Sequence, residues 1–304
     1  MQKLLGILML LSIGFVGCSK PEADPLASGT SAGSRRISIG LIPEQNIFRQ
    51  LDRYDPIARY LSRKTGTNIE LKVLRRYGNI FENFKTGNMD GAFFGSFTYV
   101  LGHSKLGVEA IATPVWLNGE SRYHGCFVIR KDSAIRGPGD MRGKVLALVD
   151  KVTMAGYLYP MVYLQSNGIT DPKKYFKETY FAGTHRDVVY DVLAGRADIG
   201  AVKNTIFARL ASQDARVAAE LTLFGRSAEV PENSLAVRAD LEPSLKVALK
   251  EALLAMDRDP EGAAALATFG ARRFVATSDA DFEPVVKYAR QIGTDLATFE
   301  PGHE

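Results

Sequence analysis

The chain has 304 residues, of which 46% are hydrophobic and 24% charged. Those proportions exclude a disordered, fibrous or polytopic membrane chain, and the length suits about two domains. A net charge of +4, spread without long basic runs, argues against nucleic acid, whose binders concentrate cations on one face.

Met1–Gly17 reads as an export signal, with Lys3 as its positive start and Leu4–Val16 as an apolar run of 13 residues. A membrane-spanning helix needs about 20 such residues, so the run is a signal core rather than a span. It ends in Phe15-Val16-Gly17-Cys18-Ser19, which resembles a bacterial lipobox, where cleavage precedes a cysteine that then carries lipid. The alternative is a plain secretory signal with an incidental Cys18. Residues 18–36, rich in Ser, Gly, Ala and Pro, read as the lipidated cysteine and a flexible tether. The expected location is the periplasmic face of a bacterial membrane, with the lipid on Cys18 as anchor.

Beyond the tether, strands and helices alternate. Ile37–Ile42 predicts a strand; Leu51, Tyr54, Ile57, Ala58 and Leu61 recur at helical spacing within Phe48–Thr65. Ile69–Leu74 is a strand, Tyr77–Thr86 a helix, Gly91–Phe94 a buried strand, and Ser96–Leu106 a helix that Ser96 can cap. Ala110–Val115 and Tyr123–Arg130 are strands separated by the turn-forming Asn118-Gly119. Val145–Leu148 is a strand before a helix from Thr153 to about Asn167, and Tyr180–Phe181 leads into a helix over Thr184–Leu193. After the strand Ile199–Val202 come helices at about Ser244–Met256, Pro260–Phe269 and Asp279–Ile292. Such alternation implies α/β sheets covered by helices.

In open α/β sheets, ligands sit beyond the carboxyl ends of strands. Three such junctions join small or hydroxylated residues to a helix start: Gly95-Ser96, Val152-Thr153 and Gly183-Thr184-His185. Each offers unpaired N–H groups and the positive end of a helix dipole to an anion. Taken singly, Ser96, Thr153 and Thr184 are equally well read as ordinary N-caps.

Five stretches in order carry a resemblance: GLIPEQN (40–46) with YDPIARYLSRKTG (54–66), GNMDGAFFGSFTYVL (87–101), GTHRDVVYDVLAGRADIGAV (183–202) and RADLEPSLKVALKEALLAMDRDPEGAAAL (238–266). Together they make residues 37–293 similar to the phosphate/phosphonate/phosphite solute-binding proteins of ABC transporters, a type II periplasmic-binding-protein family. The resemblance implies an α/β clamp of two lobes on a two-stranded hinge: lobe 1 over 35–118 plus 226–304, lobe 2 over 119–225. It implies a monomer that closes on a small oxyanion and delivers it to an ABC permease. It also implies inward-pointing Tyr77, Ser96, Tyr99, Thr153, Thr184, His185 and Asp198, with His185 donating a proton or a charge. Asp198 would accept from a protonated oxyanion or an amino group, or simply pair locally.

One loop departs from the family. Its usual Asp-Pro-x-Ser-Thr-Ser-Gly reads here Asp150-Lys151-Val152-Thr153-Met154-Ala155-Gly156, so only Thr153 keeps a hydroxyl. Losing two hydroxyl bonds to an oxyanion, at roughly 1.5–3 kcal/mol each, would remove orders of magnitude in affinity. Cys126 offers another ligand chemistry. With Cys18 lipidated it has no disulfide partner, and His124 shares its strand face. It reads either as a small buried hydrophobe or as a soft ligand for arsenite, as in the family's arsenite-sensing offshoot that signals to a membrane histidine kinase. His103, His124 and His185 lack metal-ligand spacing on any one helix, so neither a metal nor a cofactor is expected. No Gly-x-Ser-x-Gly elbow, phosphate-binding P-loop or dinucleotide fingerprint occurs, and no enzyme is expected.

Overall fold

In the computed structural model, which describes residues 35–44 and 47–300, two sheets are built by strand–helix alternation. The export signal, Cys18 and the tether as far as residue 34 lie outside the described residues. Arg36, read from sequence as tether, opens the first strand, and Arg35 pairs with Glu242 at 3.0 Å.

The first sheet begins with β1 (Arg36–Leu41), β2 (Asn68–Val73) and β3 (Gly91–Phe94), all parallel, connected by α1 (Ile47–Thr65) and α2 (Asn79–Lys85). β1 and β3 are buried almost throughout, as strands covered on both faces must be. α1 turns Tyr54, Ile57, Ala58 and Leu61 inward at one-turn spacing, and Tyr54 meets Phe93 and Phe269 edge-on at 4.9 Å. α3 (Ser96–Leu106) leads to β4 (Glu109–Trp116), after which the chain leaves this sheet through the short β5 (Arg122–Tyr123).

The second sheet comprises β6 (Gly125–Arg130), β7 (Val145–Leu148), β8 (Glu178–Phe181), β9 (Ile199–Lys203) and β10 (Leu221–Phe224), ordered β10-β6-β9-β7-β8. Its helices are α4 (Tyr159–Ser166), α5 (Pro172–Tyr175), α6 (His185–Leu193), α7 (Asn204–Gln213) and α8 (Ala215–Glu220). The chain returns through β11 (Val230–Pro231), which pairs antiparallel with β5, Val230 opposite Tyr123. β12 (Ser234–Val237) then inserts between β3 and β4. Next come α9 (Pro243–Ala255), α10 (Pro260–Phe269), β13 (Ala271–Ala276) and α11 (Glu283–Gln291). The first sheet therefore draws on both ends of the chain, and β5 with β11 forms the two-stranded hinge between lobes.

Between β7 and α4 the structure differs from the single helix predicted over 153–167. A π-turn spans Met154–Leu158, closed by the Leu158 N–H donating to the Thr153 carbonyl at 3.0 Å. Pro160 is the reason: it has no N–H for the Gly156 carbonyl, which instead accepts from the Val149 N–H at 3.2 Å.

Two apolar clusters support this frame. One fills the space between the first sheet and α1, α9 and α10, around Tyr54, Phe93, Leu249 and Phe269. The other runs continuously from Phe94 and Phe97 through Met154 to Phe127 and Val128 of the second sheet. Among the described residues, no helix is long and apolar enough to cross a membrane.

Candidate functional site

The carboxyl ends of β1, β3, β7 and β9 meet the hinge at one narrow cleft, lined almost entirely by buried residues. Ile42 and Glu44 reach it after β1, Gly95 and Thr98 after β3, Thr153 and Met154 after β7, and His185 at the start of α6. Tyr77 closes one side, Lys203 ends β9 there, and Tyr123 and Asn233 come from the hinge segments.

Hydrogen-bond donors dominate this lining. The Tyr77 hydroxyl and the Asn233 Nδ2 are buried and have no protein partner. Burial, with the charges of Glu44 and Asp150 nearby, holds the Tyr77 pKa well above the usual tyrosine range, so its proton stays available. Gly95 caps α3 and Thr153 precedes the π-turn, and in neither case does a side chain cap the following turn. Their first N–H groups thus face the cleft end of each helix. His185 is 4% exposed, and its Nδ1 accepts the Lys203 N–H at 3.3 Å, which places the ring proton on Nε2. Burial, and then the Lys203 charge, pushes its pKa down to about 3. The ring therefore donates a hydrogen bond but carries no charge, unlike the cationic alternative in the sequence reading.

One cation sits among these donors. The Lys203 Nζ lies 2.5 Å from Glu232, 3.2 Å from Glu44 and 3.2 Å from the Asn233 Oδ1, and 4.3 Å from the centre of the Tyr123 ring. Its side chain is 3% exposed and that of Glu232 1%. Burial alone would lower the lysine pKa; Glu232 and Glu44 outweigh it and hold the pKa raised. Burial likewise pushes Glu44 upward, and the charges of Lys203 and Arg209 reverse this, so Glu44 stays ionised. Because Asn233 turns its oxygen to the ammonium, its NH₂ is left to donate.

Residues 39–282 match the family described as ABC transporter, phosphonate, periplasmic substrate-binding protein. The chain belongs to this family. Its members are binding proteins of ABC transporters rather than enzymes. The chain is 29% identical over 210 residues to a phosphate-import protein PhnD of Mycolicibacterium smegmatis, covering 65% of this chain and 63% of that relative, just under two thirds of its length. It is 21% identical over 260 residues to the phosphonates-binding periplasmic protein of Escherichia coli, 84% of this chain and 76% of that one. A binding protein component of an ABC phosphonate transporter from Pseudomonas aeruginosa superposes with a TM-score of 0.77 at 22% identity, over 84% of this chain and 85% of that one. PhnD1 of Prochlorococcus marinus, solved with methylphosphonate, superposes at 0.76 and 19% identity, over 86% and 99%. These structures share the two-lobed fold of this phosphonate-binding-family protein.

Of the residues singled out from sequence, Tyr77, Thr153 and His185 line the cleft together. Ser96 lies beside it, fully buried, but donates its hydroxyl to the Pro231 carbonyl at 2.8 Å; Gly95, not Ser96, is the N-cap of α3. Thr184 caps α6 by accepting the Asp187 N–H at 3.0 Å. Three others lie elsewhere. Tyr99 packs on Phe282 at 4.2 Å, its hydroxyl accepting from the Ala110 N–H. Asp198 precedes β9, so it sits at the opposite end of that strand from Lys203, where it accepts the Val145 N–H at 2.8 Å. Cys126 is 1% exposed in the core of the second sheet, its thiol donating to the Val202 carbonyl at 3.3 Å and pushed up to about 12 by burial. The thiol is buried in that sheet and does not line the cleft, and nothing in the structure supports the arsenite reading. Among the described residues, no cluster of His, Cys, Asp and Glu is arranged to hold a metal ion.

Sequence reasoning missed Glu44, Thr98, Tyr123, Lys203, Glu232 and Asn233. For Lys203 the signal was present, since it ends a strand whose carboxyl end the general rule for open sheets already marks. Glu232 and Asn233 lie between β11 and β12, both too short to read from sequence. The departing loop also proves different in kind. Val152 is fully buried and turned to the core, and the Thr153 hydroxyl donates to the Asp150 carbonyl at 2.6 Å. This loop therefore presents backbone N–H groups, with the apolar Met154, rather than hydroxyl donors.

Proposed function

We propose that this protein is an extracytoplasmic solute-binding lipoprotein that closes its two lobes, near residues 35–118 plus 226–304 and 119–225, on a small phosphorus oxyanion. The ligand class is phosphonate, phosphite or phosphate-like, and the recipient is an ABC permease. Cys18 carries the anchor, and the protein works as a monomer. The observation that carries this reading is an excess of unpartnered donors at the cleft, with its carboxylates already engaged by Lys203. Such donors supply charge-assisted hydrogen bonds to oxyanion oxygens. Ile42 and Met154 give it an apolar side suited to an alkyl group on phosphorus.

A thermal-shift panel of methylphosphonate, phosphite, phosphate, sulfate and arsenite tests the assignment. Ligand at 100 times its dissociation constant adds about 2.7 kcal/mol of apparent stability. Stabilisation by at least one phosphorus oxyanion and none by arsenite is expected. Stabilisation by arsenite alone would overturn the reading.

A further inference from the structure

We propose that Lys203 is a built-in ammonium that fills the amine-sized compartment of the cleft and so excludes ligands that carry an amino group. The proposal rests on the oxyanion reading above and names which oxyanions the site takes.

The compartment has the chemistry of an ammonium receptor. An ammonium has three N–H donors, and Lys203 meets three acceptors: a carboxylate oxygen of Glu232, one of Glu44, and the Asn233 Oδ1. The Tyr123 ring face covers the charge at 4.3 Å. These groups come from the segment after β1, the hinge strand β5 and the segment after β11, whereas Lys203 comes from the second sheet. The receptor is thus assembled by the first lobe and the hinge, and the second lobe supplies its occupant. Glu44, Tyr123, Lys203 and Asn233 also line the cleft beside the Tyr77 and His185 donors. A phosphonate held by those donors would direct a short amino-bearing substituent toward acceptors that Lys203 already uses. A second ammonium there would meet the like charge of Lys203, so alkylphosphonates bind and aminoalkylphosphonates do not.

Ethylphosphonate and 2-aminoethylphosphonate differ only by the amino group, and calorimetric titration of both against the parent protein tests the claim without any substitution. Ethylphosphonate is expected to bind at least about tenfold more tightly. In Lys203→Ala the order should reverse, because the freed carboxylates accept the ligand's ammonium. Removing Lys203 leaves buried carboxylates unpaired and lowers stability, so the melting temperature of Lys203→Ala is also read with and without ethylammonium. Rescue of the variant by ethylammonium, with no effect on the parent, is the expected companion result. Equal affinity of the parent for the two phosphonates, or an unchanged ratio in Lys203→Ala, would overturn the proposal while leaving the oxyanion reading intact. Failure of the parent to bind either phosphonate would overturn the proposal, and failure to bind phosphite and phosphate as well would overturn the oxyanion reading.

Discussion

At the scale of single residues, the cleft is set by which donors and acceptors are already used. Tyr77 and Asn233 hold unpartnered donors, while Thr153 and Ser96 spend their hydroxyls on backbone carbonyls. Tyr77→Phe should therefore weaken oxyanion binding by about tenfold or more, the equivalent of ~1.5 kcal/mol or above for a bond to a charged group. The ligand-free variant should melt no lower than the parent, since the lost hydroxyl had no partner. Calorimetry and a thermal melt check the two halves separately. His185 makes a pH prediction. Its folded pKa is pushed down to about 3, first by burial and then by Lys203, against a starting value of 6.5. Between those values the unfolded chain takes up a proton that the folded protein refuses. Stability should thus fall as pH drops from 6.5 toward 3, by up to ~1.4 kcal/mol per pH unit from this group. Urea midpoints at pH 7 and pH 5 should differ less in His185→Gln than in the parent, and an equal difference would contradict the assignment. Tyr77, Thr153 and His185 were legible in the sequence because hydroxyls, a histidine and a resemblance marked them. The Lys203 cage was not, because its four contributors are scattered over residues 44–233 and only the hinge brings them together.

At the scale of elements, the π-turn over Met154–Leu158 decides how the second lobe presents its N–H groups. Gly156 is essential to it: a Cβ there would fall on the Val149 side chain and within 2.7 Å of the Thr153 Oγ1. Gly156→Ala should cost about 1–3 kcal/mol in stability, the range for overpacking a filled site, and should weaken ligand binding as the turn shifts. A denaturant titration that left stability unchanged would show that the turn has room the packing denies. Sequence periodicity revealed the long or fully buried elements, and Gly91–Phe94, Ser96–Leu106, Val145–Leu148 and Pro260–Phe269 fall where it places them. It missed β12, whose four residues are too few for any period to show, and β13, where a register shift between Ala271 and Arg273 breaks the alternation. α7 and α8 escaped because only three of their residues are buried, Ile206, Leu210 and Val217, too few to mark an apolar face.

At the scale of the whole molecule, contacts across the cleft hold the lobes together. The Thr98 hydroxyl of the first lobe donates to the Val152 carbonyl of the second at 3.0 Å, and Lys203 of the second lobe pairs with Glu44 of the first. Both contacts are made beside the cleft. The hinge strands are two residues each, a short connection suited to bending. The central claim is that this cleft binds a small phosphorus oxyanion through neutral donors. Calorimetric titration of the purified protein with methylphosphonate, alongside Tyr77→Phe, tests it most directly. The account predicts saturable binding at one site per chain, weakened about tenfold or more in the variant. Absence of binding to methylphosphonate, phosphite and phosphate alike, or binding to which Tyr77→Phe is indifferent, would contradict it.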